Sequence, residues 1–413
     1  MKEKPFDWKP FARKLRTVLA DDDDSDLAFL NEDLRGIRIV ALGEETHGTR
    51  EIFQLKHRLI SYLVRKQGFR VISFEAGMEP CRNIDNFVFQ GKGDPYLALS
   101  SQSYWTWDTV EVMDMLKDLR QYNLSCPEGE ECRFAGFDMK PIEIACDNLR
   151  RFVIASEAPE KEKALEVIAS CRDTGWYIGK KQDLPDITWL NGWFALHRYT
   201  LLKTHNESAY QLARQDLRYI SQYILCVKAV QEGETSWTGS RDYFMAQNVM
   251  RILDESPDLK LIVWAHNAHI ANDQKEKSMG WYLRQKYGNQ YYAAGFLTGG
   301  GAFQSRDAKT MELRSFTIKN PYPDSWAEEF HAQLGRQNWF IPLRQPSVQS
   351  AGFDEWAIRE KGMFIIGAVF AEEKDDPEFL KNSVIPTRLN ESYDAVFFLG
   401  QAQRARPNAR GER

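Results

Sequence analysis

The chain contains no run of about 18 apolar residues, the length a helix needs to cross a bilayer, so no membrane partner is expected. Its first ten residues are charged and lack the apolar stretch of a secretory signal, which makes a cytoplasmic location the expectation. Cysteine is scarce: six in 413 residues, none in a CxxC pair, which points to free thiols rather than a disulfide framework or a thiolate zinc site. Positive charge is not in excess. With 54 Lys and Arg against 59 Asp and Glu, the net charge is -5, and no segment concentrates basic residues as a phosphate backbone requires. Nucleic acid is therefore excluded as an expected partner, and a small molecule is favoured. Three signatures are missing as well. There is no G-x-S-x-G nucleophile elbow, no G-x-x-x-x-G-K-[ST] phosphate loop and no G-x-G-x-x-G, even around Gly299 to Gly301. Serine hydrolase, NTPase and Rossmann oxidoreductase readings lose support accordingly.

What is present is an α/β pattern. At 43% hydrophobic and 27% charged the composition is that of an ordinary globular protein. Short, nearly continuous apolar runs predict strands covered on both faces at Ile37 to Leu42, Arg70 to Phe74, Arg133 to Phe137, Leu261 to Ala265, Tyr291 to Phe296, Met363 to Val369 and Asp394 to Leu399. Between the first two, Ile52, Leu55, Leu59, Tyr62 and Leu63 recur at helical spacing over Glu51 to Gln67, so the unit reads strand, helix, strand. Thr109 to Asn123 repeats it. The expected fold is thus a mainly parallel or mixed sheet flanked by helices. Residues 141–235 read differently. Tyr210, Ala213, Leu217, Ile220, Ile224 and Val227 form one apolar seam along a long helix. The expected organisation is a core in two parts, 1–140 and 236–401, a helical insertion at 141–235 that walls or lids the site, and a loose tail at 402–413. The acidic run Asp21 to Asp24 reads as solvated surface.

Chemistry-bearing residues stand where the strands stop. The first strand runs into ALGEETHGTRE, delivering Glu44 and His47 after a glycine, Gly43, that allows a sharp turn. The second delivers Glu75, the third Asp138, and the fourth His266, Asn267 and His269. In an open parallel sheet the carboxyl ends of neighbouring strands share one rim, where ligands bind. Other residues invite blander readings. Glu45 is left unassigned, with helix capping as its alternative role; His57 reads as packing; Arg241 and Asp242 read as opening a helix. Trp105 to Trp107 read as core, with Trp107 also a candidate wall for an apolar ligand.

These residues sit in a larger pattern. GEETHGTREIFQLKHRLISYLV, ISFEAG, WTWDTVEVM, LRQYN, FAGFDM, RDYFMAQN, IVWAHNAHI, SMGWYL, YYAAGF and YDAVFFLG occur in order through nearly the whole chain, and together they resemble the erythromycin esterase family of macrolide-lactone hydrolases and their relatives. The resemblance implies a hydrolase that opens a macrolide lactone or related ester with water activated by histidine, without a cofactor or a covalent intermediate. It implies His47 as general base, Glu44 as the carboxylate orienting imidazole or water, and Glu75 and His266 as further site residues with His269 close by. Lys56 stands where characterised members resemble one another in carrying arginine. Candidate oxyanion donors are His266, Lys56 or backbone N–H groups near Gly43. The same residues admit two other readings. His47, Glu44, Glu75, His266 and His269 could ligate zinc or manganese in a metal-dependent hydrolase. Alternatively, the chain binds a polyketide or glycan without catalysis.

Overall fold

Six of the seven apolar runs become parallel neighbours in one eight-stranded sheet. The computed structural model describes residues 6–20, 23–102, 104–174, 181–318, 321–344, 352–372 and 376–408. Its strands are β1 Arg13–Leu15, β2 Ile39–Leu42, β3 Val71–Gly77, β4 Arg133–Asp138, β5 Leu261–Trp264, β6 Tyr291–Thr298, β7 Gly301–Asp307, β8 Leu313–Ile318, β9 Asn338–Pro342, β10 Lys361–Phe364, β11 Val369–Phe370, β12 Val384–Thr387 and β13 Ala395–Leu399. The main sheet runs β1-β9-β13-β6-β2-β5-β3-β4, with β1 and β9 antiparallel at one edge.

The alternation of the pleat explains why these strands are apolar throughout. Ile39 and Ala41 of β2 join the core on one face, and Val40 and Leu42 join the core on the other. The second face is covered by the helices Arg50–Gln67, Met78–Gln90 and Val110–Ser125, and the first by Glu143–Ile154, Trp237–Asp254 and Met279–Tyr287. The 25-residue helix Glu207–Gln231 buries all six residues of its predicted seam and packs on Glu143–Ile154 and Trp237–Asp254.

Two expectations fail. Met363 to Val369 is not a strand of the main sheet. Its start is β10, paired with β12 in a two-stranded sheet, and its end meets β11, which pairs with β7. Ile366 between them offers its backbone to the Glu44–Thr49 loop, which breaks the strand. The predicted loose tail is docked as far as Asn408: Gln403 O accepts from Arg50 N at 2.8 Å, Ala405 N donates to Gly48 O at 2.9 Å, and Arg406 O accepts from Val110 N at 2.8 Å. Residues 409–413, and Asp21 and Asp22 of the acidic run, lie outside the described residues.

Candidate active site

The topology sets the site. β2 and β5 are adjacent at the centre, β3 and β4 continue beyond β5, and β6 lies on the other side of β2. The carboxyl ends of β2, β5, β3 and β4 therefore bring Glu44–His47, His266–His269, Glu75 and Asp138 to one rim. Pairing of β2 with β5 continues past the strands, where Asn267 N donates to Glu44 O at 2.9 Å. Gly43 is required at this crossing. A Cβ there would stand 2.0 Å from Asn267 Oδ1, and that amide staples β6 by bonding Phe296 N and O at 3.0 and 2.7 Å. Asn267 thus holds the frame and does not face a ligand. Gly48 is similarly confined, since a Cβ would meet Gln304 O at 2.2 Å.

Two clusters result, joined by His266. In the first, Glu44 is fully buried and accepts three bonds: His47 Nδ1 at 2.7 Å on Oε1, and Lys56 Nζ and Trp264 Nε1, each at 2.6 Å, on Oε2. Burial raises the Glu44 carboxyl, but Lys56 and His47 outweigh it and hold the group below its ordinary range. Lys56 is equally buried, with its ammonium 4.4 Å from the centre of the Trp264 ring; burial pushes it down to about 8 against the pull of Glu44. Among the described residues His47 makes no hydrogen bond other than that to Glu44, and its side chain keeps 12% exposure. Its Nδ1 is committed to Glu44 and its Nε2 is not. Trp107 lies beneath, buried, 4.6 Å from Phe74 and 6.4 Å from His47 between ring centres, so its role is packing rather than a wall for a ligand.

In the second cluster Arg241 donates to Glu75 at 2.7 Å and, through Nε and Nη2, to Asp138 at 3.2 and 2.7 Å. His269 places Nδ1 2.6 Å from Asp242 and Nε2 3.2 Å from Glu75. Burial opposes charge on His269, but Asp242 and Glu75 override it and raise the imidazole to about 10; Arg241 Nη1 also lies 3.1 Å from Nε2. Burial likewise opposes ionisation of Glu75, and His269 and Arg241 win, placing it well below the ordinary carboxylate range. His266 links the clusters. Its ring centre is 4.9 Å from that of His47, and its backbone N–H donates to Glu75 at 3.0 Å. Burial, then the nearby His47, lowers its imidazole to about 3, and Nε2–H donates to the carbonyls of Glu45 and Ile366 at 3.2 and 3.1 Å.

The structure brings together Glu44, His47, Lys56, Glu75, Asp138, His266 and His269. It also places at the centre two residues whose sequence reading was structural, Arg241 and Asp242. Both sit inside a helix rather than after a strand, and only their place in RDYFMAQN marks them. Glu45 does not cap the helix, which starts at Arg50 after Thr49. Its carboxyl meets Thr298, its Oε2 is buried without a hydrogen-bond partner among the described residues, and burial raises it to about 8. His57 is away from the cluster, 3.4 Å from Asp118. Two expected oxyanion donors are engaged elsewhere, His266 Nε2 by carbonyls and Lys56 by Glu44, and of the backbone N–H groups near Gly43 that of Gly43 itself donates to Ala294 O at 2.8 Å. The metal-ligand reading of the five residues meets the same difficulty. Glu44 and Glu75 are saturated by N–H donors and two cations, and among the described residues no group of three or more His, Cys, Asp or Glu is arranged to hold an ion.

The chain thus places a carboxylate–histidine pair at the carboxyl ends of the central strands of an open α/β sheet. The family model for erythromycin esterase matches residues 64–402, which include Glu75, Asp138, Arg241, His266 and His269. The chain is 26% identical to erythromycin esterase type II of Escherichia coli over 379 residues, 78% of this chain and 85% of that one. To YbfO of Bacillus subtilis (strain 168) it is 25% identical over 363 residues, 77% of each. The crystal structure of a Bacillus cereus protein has the same fold, with a TM-score of 0.77, 22% identity and 97% of both chains covered. This chain belongs to the erythromycin esterase family, a family of hydrolases. Among the described residues no helix is long and apolar enough to cross a membrane.

Proposed function

We propose that the protein hydrolyses a carboxylic ester, a macrocyclic lactone or a related small-molecule ester, by direct attack of water. The observation that carries this reading is the His47–Glu44 pair at 2.7 Å, with Nδ1 engaged and Nε2 without a hydrogen-bond partner among the described residues. Glu44 fixes the tautomer that has its proton on Nδ1, so Nε2 presents a lone pair to water. No serine or cysteine is hydrogen-bonded to His47 among the described residues, which favours water over a side-chain nucleophile. In the reaction Nε2 removes a proton from water as its oxygen bonds to the acyl carbon. The tetrahedral oxyanion then collapses, the acyl C–O bond breaks, and the imidazolium returns the proton to the departing alkoxide, giving acid and alcohol.

Incubation with erythromycin, other macrocyclic lactones and simple esters, followed by mass spectrometry, tests the proposal. A product heavier by one water is expected from at least one class. His47→Ala, with an unchanged circular dichroism spectrum, should lower kcat by about 10²–10⁴, the usual contribution of a general base. Wild-type turnover in that variant would overturn the role of His47.

A further inference from the structure

Away from the sheet edge, the helices Ile187–Leu196, Glu207–Gln231 and Trp237–Asp254 enclose a groove of about 530 Å³, within the range of small-molecule sites. It lies on a different face of Trp237–Asp254 from the active-site cluster. Arg241 and Asp242 are buried toward the sheet, whereas Phe244, Gln247 and Arg251, at steps of three and four, line the groove. Opposite them, Arg214 and Arg218 stand one turn apart on the same face of Glu207–Gln231.

Arginine crowds this groove: Arg198, Arg214, Arg218 and Arg251 line it, and among the described residues only Arg198 of the four has an ion pair, with Glu207. Among the described residues no carboxylate lies within ion-pair distance of Arg214, Arg218 or Arg251, although the chain has 59 Asp and Glu and a net charge of -5. Asp216 is engaged with Arg82 at 2.8 Å, and Glu207, at the groove's end, pairs with Arg198 at 2.9 Å and interacts with Arg214 without forming an ion pair to it. Like charges at i and i+4 oppose folding, and a third guanidinium on the facing helix adds to the repulsion. Arg218 registers it: burial, then Arg251 and Arg214, lower it from the ordinary arginine range. An arrangement that costs stability in the free protein gains it back when a multiply charged anion enters. Guanidinium forks match phosphate oxygens in pairs. Beside them the groove carries the rings of Tyr243 and Phe244, which lie edge-to-face with centres 5.2 Å apart.

We propose that this groove is a binding site for a phosphate monoester whose organic part is aromatic or apolar, its phosphate held by Arg214, Arg218 and Arg251 and its body against Tyr243 and Phe244. The site is separate from the ester-hydrolysing cleft, so its test does not depend on finding the substrate.

Isothermal titration calorimetry of the full-length protein with phenyl phosphate and with inorganic phosphate, at about 150 mM salt, where exposed charges are screened beyond about 8 Å, reads the proposal directly. Phenyl phosphate should bind saturably at one site, at least fivefold more tightly than inorganic phosphate, and Arg218→Gln/Arg251→Gln should weaken it at least tenfold. Tyr243→Ala/Phe244→Ala should remove the preference for the phenyl ester while leaving inorganic phosphate binding in place. Hydrogen exchange with and without phenyl phosphate provides a readout that needs no variant, with protection expected in 191–198, 214–225 and 243–251. Absence of saturable binding, equal affinity for the two probes, or undiminished binding by the double arginine variant would overturn it.

Discussion

Lys56 is the residue at which burial and charge compete most directly. It is fully buried, yet it supplies the counter-charge to Glu44 at 2.6 Å, and burial brings it down to about 8. As pH rises through that value the ammonium is lost, leaving the Glu44 carboxylate buried without its cation, and the anchor of His47 is weakened. The wild-type rate is therefore expected to fall above about pH 8. Lys56→Arg, whose guanidinium stays protonated, should keep activity on that side, whereas Lys56→Met should lose at least tenfold at every pH and about 3–5 kcal/mol of stability. Profiles of kcat/KM against pH for a substrate turned over in the panel decide it; superimposable alkaline limbs for wild type and Lys56→Arg would show that another group titrates. His266 and His269 give a second contrast. Three residues apart, one is held neutral, near 3, and the other charged, near 10, by different partners. With those nitrogens and both carboxylates saturated by hydrogen bonds, prolonged dialysis against a chelator should leave the rate unchanged, and a loss restored by zinc or manganese would reopen the metal reading.

At the scale of elements, the loop from Glu44 to Thr49 is braced from outside the strand that carries it. Ile366 N donates to Glu45 O, Gln304 N and Ala405 N donate to Gly48 O, each at 2.9 Å, and Arg406 pairs with Glu111 at 2.8 Å. Removing residues 402–413 should therefore disturb His47 more than the sheet. At about 0.5–1.5 kcal/mol for each lost bond, a destabilisation of about 2–4 kcal/mol is expected, with kcat/KM down at least tenfold and the far-UV spectrum retained. Wild-type kinetics in the truncated chain would show the brace to be dispensable. This segment also marks where sequence reading stops. Residues at the strand ends were legible because a doubly covered strand is a continuous apolar run, and the polar side chains where that run stops lie on the rim: Glu44, Glu75, Asp138 and His266 all do, although Glu75 and Asp138 still belong to β3 and β4. Arg241 and Asp242 were not legible, because a helix interior offers no such landmark and only the tertiary fold turns that face toward Glu75. The short antiparallel strands β1 and β9 carry no long apolar run, and the C-terminal segment is polar, so its docking through backbone hydrogen bonds leaves no trace in composition.

At the scale of the whole molecule, several buried groups give stability a pH dependence whose sign can be worked out. Glu45 and Glu79 are buried, with one carboxyl oxygen of Glu45 and both of Glu79 lacking hydrogen-bond partners among the described residues, and burial raises both from an ordinary 4.5 to about 8. For Glu79 the neighbouring Asp216 adds to the rise and Arg82 opposes it. Below 4.5 folded and unfolded chains both carry these protons, and no preference results. Between 4.5 and about 8 the unfolded chain ionises while the folded one does not, so stability falls with rising pH by up to about 1.4 kcal/mol per pH unit for each group. His269, raised to about 10, adds a loss over 6.5 to 10, since its stabilising charge is fully present only below 6.5. Two effects act on the acid side. His266, lowered to about 3, costs stability as pH drops from 6.5, and the depressed Glu44 and Glu75 lose theirs as pH falls below 4.5. Lys56 opposes the alkaline trend only above about 8. Between 4.5 and 6.5 the two carboxyls outweigh His266, so the balance places greatest stability on the acid side of neutrality, near about pH 4.5. Urea unfolding should show a higher midpoint at about pH 5.5 than at about pH 8, and Glu45→Gln/Glu79→Gln should raise the midpoint at the higher pH and flatten the difference. A wild-type midpoint that climbs over the same interval would mean that these two carboxyls ionise in the folded protein after all.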